Sequence, residues 1–129
     1  MKAGWSESAL KFALVGVINT LVGLTVIFAL KALLSWNNVA ANAGGYAVGL
    51  VVSFCLNRSF TFSYSGPNLA AAIRFAAVVA VAYFVNLSAV MVAISVIHIN
   101  AYAGQVVGVA VYSIVFFLGS RHFAFAPKR

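Results

Sequence analysis

Four basic side chains stand where long uncharged runs begin or end: Lys11 in "LKFAL", Arg58 in "SFCLNRSFTF", Arg74 in "AAIRFAA" and Arg121 in "FFLGSRHFAF". Guanidinium groups bind phosphate through two parallel hydrogen bonds, so cations gathered at one membrane depth could receive the phosphate of a lipid headgroup. Two helix starts at Lys11 and Arg74 would add free N–H groups to the attraction. On this account Arg58 and Arg74 hold the phosphate, and Lys11 and Arg121 assist. Anchoring is the other account of the same residues. Basic side chains at span ends reach the headgroups and complement the negative end of a helix dipole. The residues alone leave both accounts open.

Further polar groups lie inside the apolar runs. Asn19 and Asn86 lie deepest, Thr20 adjoins Asn19, and Asn57 precedes Arg58. Uncharged amides and hydroxyls suit sugar hydroxyls, so these four form a candidate polar path. Hydrogen bonds between helices, worth about 0.6–2 kcal/mol, are the plainer use of such residues. Phe60 and Phe62 flank Thr61 at a spacing of two. In an extended segment both rings would share a face and form an aromatic platform for a lipid or sugar.

What is missing narrows the chemistry. The chain has no aspartate, and Glu7 is the single acid. Paired carboxylates, a Ser-His-acid triad and a carboxylate metal cage are excluded within one chain. His98 and His122 fall at opposite ends of their spans. Cys55 stands alone and reads as a small buried apolar side chain. No enzyme activity, cofactor or metal is expected.

The elements that must position these groups are membrane helices. The chain is 64% hydrophobic and 7% charged, with a mean hydropathy of +1.07. An ordinary globular domain carries roughly 25% charged residues. Apolar runs extend from Phe12 to about Leu34, Val39 to Leu56, Phe75 to about Ile97 and Ala101 to Ser120, each near the ~20 residues a spanning helix needs. They are apolar at both parities, which argues against a barrel. The first run is longer than a signal-peptide core and reads as mature structure.

With four spans, both termini and the middle loop share a side. All the basic residues except Lys31 fall on that side, which the positive-inside rule makes cytoplasmic. The net charge of +7 thus expresses topology rather than nucleic-acid binding.

The chain also repeats. Sliding it so that Arg58 falls on Arg121 brings Phe60 onto Phe123 and Phe62 onto Phe125, and, without a gap, Lys11-Phe12-Ala13 onto Arg74-Phe75-Ala76. The expected fold is an all-α membrane protein of four transmembrane helices. They form one domain over 1–129, built as two parallel-repeat hairpins at about 9–62 and about 72–125. A linker at about 63–68 contains Gly66-Pro67.

"VGVINTLVG" (Val15 to Gly23) inside a span opened by Lys11-Phe12, with Phe54-x-x-Asn57-Arg58-x-x-Thr61-Phe62 closing the next, resembles the GtrA-like family. These are small four-span membrane proteins associated with cell-surface polysaccharide synthesis. The resemblance covers nearly the whole chain. It implies that a polyprenyl-phosphate-linked monosaccharide is flipped from the cytoplasmic to the outer leaflet of the inner (cytoplasmic) membrane, where a partner glycosyltransferase uses it. A homo-oligomer, dimer or larger, is expected because one four-span bundle shelters a sugar poorly. The alternative is a non-transporting scaffold for that glycosyltransferase. A small multidrug exporter ranks below both, since that class uses a membrane-embedded glutamate.

Overall fold

Backbone amides in lipid must find partners within their own segment, and this chain satisfies them with four long helices. A computed structural model describes residues 4–127. Helix α1 spans Trp5–Leu34, α2 Asn38–Leu56, α3 Asn68–Ser95 and α4 Ala101–Gly119. α2 runs on into a π-helical turn at Asn57–Thr61, and α4 into another at Ser120–Ala124. All four are long and apolar enough to cross a bilayer, and the chain is a multi-pass membrane protein. Lys2, Lys128 and Arg129, counted above for topology, lie outside the described residues.

The chain divides into two compact units, the first reaching Ser65 and the second starting at Gly66. The shift that lays Arg58 on Arg121 also lays Trp5 on Asn68, Asn38 on Ala101 and one π-helical turn on the other.

Two helices start earlier than their apolar runs. α1 begins at Trp5 rather than Phe12, and its first turns hold Ser6, Glu7 and Ser8. α3 begins at Asn68, directly after Pro67. The apolar run marks the hydrocarbon, whereas the helix continues until the backbone breaks, at Gly4 and at Pro67. With 30 residues, α1 is about 45 Å long and outreaches a hydrocarbon core of ~30 Å. Lys11 and Arg74 therefore lie well inside their helices. The free N–H groups expected beside them are more than a turn away.

Within each unit the two helices join by the same device. Ser35 and His98 take left-handed backbone at φ 56° and 63°. The following amides close the helix ends, with Trp36 N–H donating to the Leu30 carbonyl and Ile99 N–H to the Ala93 carbonyl, both at 3.1 Å. Asn37 and Asn100 then cap the next helices. Their Oδ1 atoms accept from Ala40 N–H and Ala103 N–H, each at 2.8 Å.

The second helix of each unit packs along a column of small residues. In unit 1 the column is Ala41, Gly45, Gly49 and Ser53, all buried, and Asn57 and Thr61 continue it. A β-carbon on Gly45 would stand 2.9 Å from the Gly23 carbonyl oxygen, so the two backbones nearly touch. In unit 2 the buried Gly104 and Gly108 receive side chains instead, Gly104 that of Ile94 and Gly108 those of Asn86 and Val90. Gly16, in the middle of α1, faces open space. Cys55 is exposed rather than buried, because Ser53 and Asn57 take the inner face and leave the residue between them outside.

Candidate functional site

Each unit brings two cations to its π-helical turn. In unit 1, Arg58 belongs to the turn itself, and its guanidinium carbon lies 5.8 Å from the ring centre of buried Tyr64. Lys11, reaching over from α1, sets Nζ 5.2 Å from the centre of the Phe60 ring. The same ammonium is 2.8 Å from Glu7 Oε1, one turn earlier on its own helix. Both contacts suit a cation at a water–lipid boundary, where an aromatic face and a carboxylate each offset lost hydration.

In unit 2 the chemistry differs. Arg121 lies within the turn and is only 5% exposed. Arg74 crosses from α3 and donates Nε and Nη2 to the carbonyl oxygen of Ala124, at 3.4 and 3.2 Å. Where Lys11 meets a ring and a carboxylate, Arg74 meets a backbone carbonyl of the turn.

The turns themselves are held by different means. In unit 1, Asn57 Nδ2 donates to Ser53 Oγ at 3.1 Å, and Asn57 Oδ1 accepts from Thr61 Oγ1 at 2.8 Å. This ladder is buried, with Asn57 and Thr61 each 1% exposed. The matching positions in unit 2 are Phe116, Ser120 and Ala124. An aromatic cluster replaces the ladder there: Phe75 meets Phe116 edge-on at 5.4 Å and Phe125 at 5.8 Å, and Tyr112 meets Phe116 at 5.5 Å. Ser120 Oγ is buried in this setting with no hydrogen-bond partner.

The π-helical turn also changes the expected aromatic platform. The spacing of Phe60 and Phe62 predicts an extended segment with both rings on one face. Instead Phe62 N–H donates to the Asn57 carbonyl and Phe125 N–H to the Ser120 carbonyl, both at 2.9 Å. Such i→i+5 bonds widen the turn and send residues two apart toward opposite sides. Phe60 and Phe123 are exposed, Phe62 is half-buried and Phe125 is buried.

Among the polar residues of the spans, Thr20 donates its hydroxyl to the Gly16 carbonyl at 2.9 Å, within its own helix. Asn57 spends its amide on the ladder. Asn19 and Asn86 differ from both, because each buries Oδ1 with no hydrogen-bond partner. Sequence reasoning passed over Tyr64, the Ala124 carbonyl and the Ser53–Asn57–Thr61 ladder. The Glu7–Lys11 pair could have been found, since acid and base four apart on a helix face each other.

A family model described as "GtrA/DPMS, transmembrane domain" matches residues 11–125, which takes in both hairpins and both π-helical turns. Among curated proteins and among solved structures, none matched the chain.

Proposed function

Because the chain belongs to the GtrA/DPMS transmembrane-domain family of membrane proteins tied to lipid-linked sugars and glycan assembly, we propose that it flips a polyprenyl-phosphate-linked monosaccharide across the cytoplasmic membrane. The observation that carries the reading is the pairing of cations with π-helical turns. Arg58 lies in the turn of unit 1 with Lys11 beside it, and Arg121 lies in the turn of unit 2 with Arg74 beside it.

In the proposed cycle, Arg58 in unit 1 and Arg74 in unit 2 each take phosphate oxygens, while Lys11 and Arg121 add positive potential at their own turns. Phosphate is the part of such a lipid that most resists entering hydrocarbon, and guanidinium groups replace its water with fixed donors. Phe60 and Phe62 contact the adjoining lipid or sugar. The sugar passes along Asn19 and Asn86, with Thr20 and Asn57 shaping the path through their internal bonds. No covalent bond forms or breaks, so the reading requires no catalytic group, cofactor or metal. Both termini and the cationic ends face the cytoplasm, a dimer or larger oligomer shelters the sugar, and a glycosyltransferase consumes it on the other side.

Reconstitution tests this directly. Purified protein in liposomes is expected to speed leaflet exchange of at least one member of a panel of polyprenyl-phosphate sugars. The R58A and R74A variants are each expected to slow it about tenfold or more, the scale of one lost charge-assisted hydrogen bond. No exchange with any member of the panel sinks the reading. Recovery of a glycosyltransferase with the R58A/R74A protein and no exchange by the wild type would point to the scaffold instead.

A further inference from the structure

In each unit a buried side-chain carbonyl ends on a glycine. Asn19 Oδ1, in unit 1, lies 2.8 Å from the point a β-carbon on Gly49 would occupy, and Nδ2 of the same amide is 3.9 Å from it. In unit 2, Asn86 Oδ1 fills the place a β-carbon on Gly108 would take. Both oxygens are buried without a hydrogen-bond partner, and both glycines are buried. Only a residue lacking a side chain leaves this seat open.

The seat also selects an orientation. A carbonyl oxygen facing Cα hydrogens makes a weak C–H···O contact, whereas an NH2 group there would set hydrogen against hydrogen. Oxygen therefore goes in and nitrogen goes out. In the repeat alignment Asn86 falls on Gly23 and Gly108 on Gly45, while Asn19 and Gly49 lie one turn nearer the π-helical end. The Asn19 seat thus lies about 6 Å, roughly one helical turn, closer to its own π-helical turn than the Asn86 seat lies to its own.

We infer that Gly49 and Gly108 are positioning residues that lock Asn19 and Asn86 as hydrogen-bond donors. Each hairpin then offers a ligand N–H groups and withholds the amide carbonyl. Donors suit hydroxyl and phosphate oxygens acting as acceptors. The orientation stands on the geometry alone, and its use toward a sugar rests on the function proposed above.

Two measurements test the inference separately. In full-length labelled protein in detergent micelles, nuclear Overhauser contacts report which end of each amide faces its glycine. The expected result is at most a weak contact from the Asn19 NH2 protons to Gly49 Hα, because Nδ2 stands back from that place at 3.9 Å, and the same pattern for Asn86 and Gly108. A strong contact from the NH2 protons overturns the orientation. In liposomes, exchange of polyprenyl-phosphate glucose, mannose or galactose is expected to slow about tenfold in both N19A and G49A, on the scale of one hydrogen bond. The double variant should be no slower than N19A, because the glycine acts through the amide. Independent, multiplying losses would make Gly49 a packing residue and overturn its positioning role. If the wild type exchanges none of the three lipids, the transport reading fails and the micelle measurement alone decides the orientation.

Discussion

The Arg74 guanidinium and the Ala124 carbonyl meet across 50 residues of sequence, through Nε at 3.4 Å and Nη2 at 3.2 Å. The contact joins the second turn of α3 to the π-helical turn that follows α4, and so closes the cationic end of unit 2. A widened π-helical turn leaves carbonyls less well matched to intrahelical donors, and here an arginine supplies the missing hydrogen. The matching residue of unit 1, Lys11, has a different task, and that contrast yields the first prediction.

Replacing Arg74 by alanine should loosen the second turn. Phe125 N–H, bonded to the Ser120 carbonyl, is expected to exchange with deuterium about tenfold faster in R74A, the effect of losing roughly one hydrogen bond. R74K should fall between, because an ammonium cannot present the planar fork. Unchanged exchange in R74A would mean that the aromatic cluster alone holds the turn.

Asn57 and Ser120 occupy equivalent places but should respond oppositely to alanine. N57A strands the hydroxyls of Ser53 and Thr61 in a buried ladder, at a cost of about 1–3 kcal/mol. S120A removes a buried hydroxyl that has no hydrogen-bond partner, so its effect should be near zero or slightly stabilising. Denaturation of each variant in mixed detergent micelles, followed by helicity, checks the pair.

Gly45 and Gly16 separate contact glycines from incidental ones. A β-carbon at Gly45 would press on the Gly23 backbone at 2.9 Å, and backbone cannot swing aside. G45A is expected to destabilise the first hairpin by about 1–3 kcal/mol, whereas G16A, facing open space, should be neutral or gain a little helix propensity. The same denaturation experiment distinguishes them.

Glu7 competes for a cation that the proposed function needs. Its carboxylate lies 2.8 Å from Lys11 Nζ, and i,i+4 pairs of this kind contribute about 0.2–0.5 kcal/mol. E7Q should therefore tighten binding of an anionic polyprenyl-phosphate lipid by about twofold at low salt. The difference should shrink in high salt, where surface charges are screened. Binding titrations in micelles at two ionic strengths measure it, and weaker binding by E7Q would exclude competition.

Most of the architecture was legible because lipid imposes one demand on the backbone. Runs such as Val39 to Leu56 had the length and uniform hydropathy of a spanning helix, and α2 ends at Leu56 as expected. Less was legible at the π-helical turns. Nothing in "NRSFT" distinguishes an i→i+5 turn from an extended exit, so Phe60 and Phe62 were assigned one face that they do not share. The early starts of α1 and α3 escaped because a hydropathy boundary locates the edge of the hydrocarbon rather than the end of a helix. Asn19 was visible as a polar residue at depth. Its seat on Gly49 was not, since the two are 30 positions apart and only the folded hairpin joins them.

The short connections at Ser35 and His98 bear on how such a chain enters a bilayer. Each reversal of direction is completed by a left-handed residue and an asparagine cap, so its backbone groups are already bonded to one another. A hairpin finished this way drags little unsatisfied polarity through the hydrocarbon. It can insert with both helices paired, as one piece, during synthesis. In the first unit α1 packs along α2 and its π-helical turn, so that hairpin can fold while the second is still being made. Biogenesis in two successive, self-sufficient steps is what those two tight turns permit.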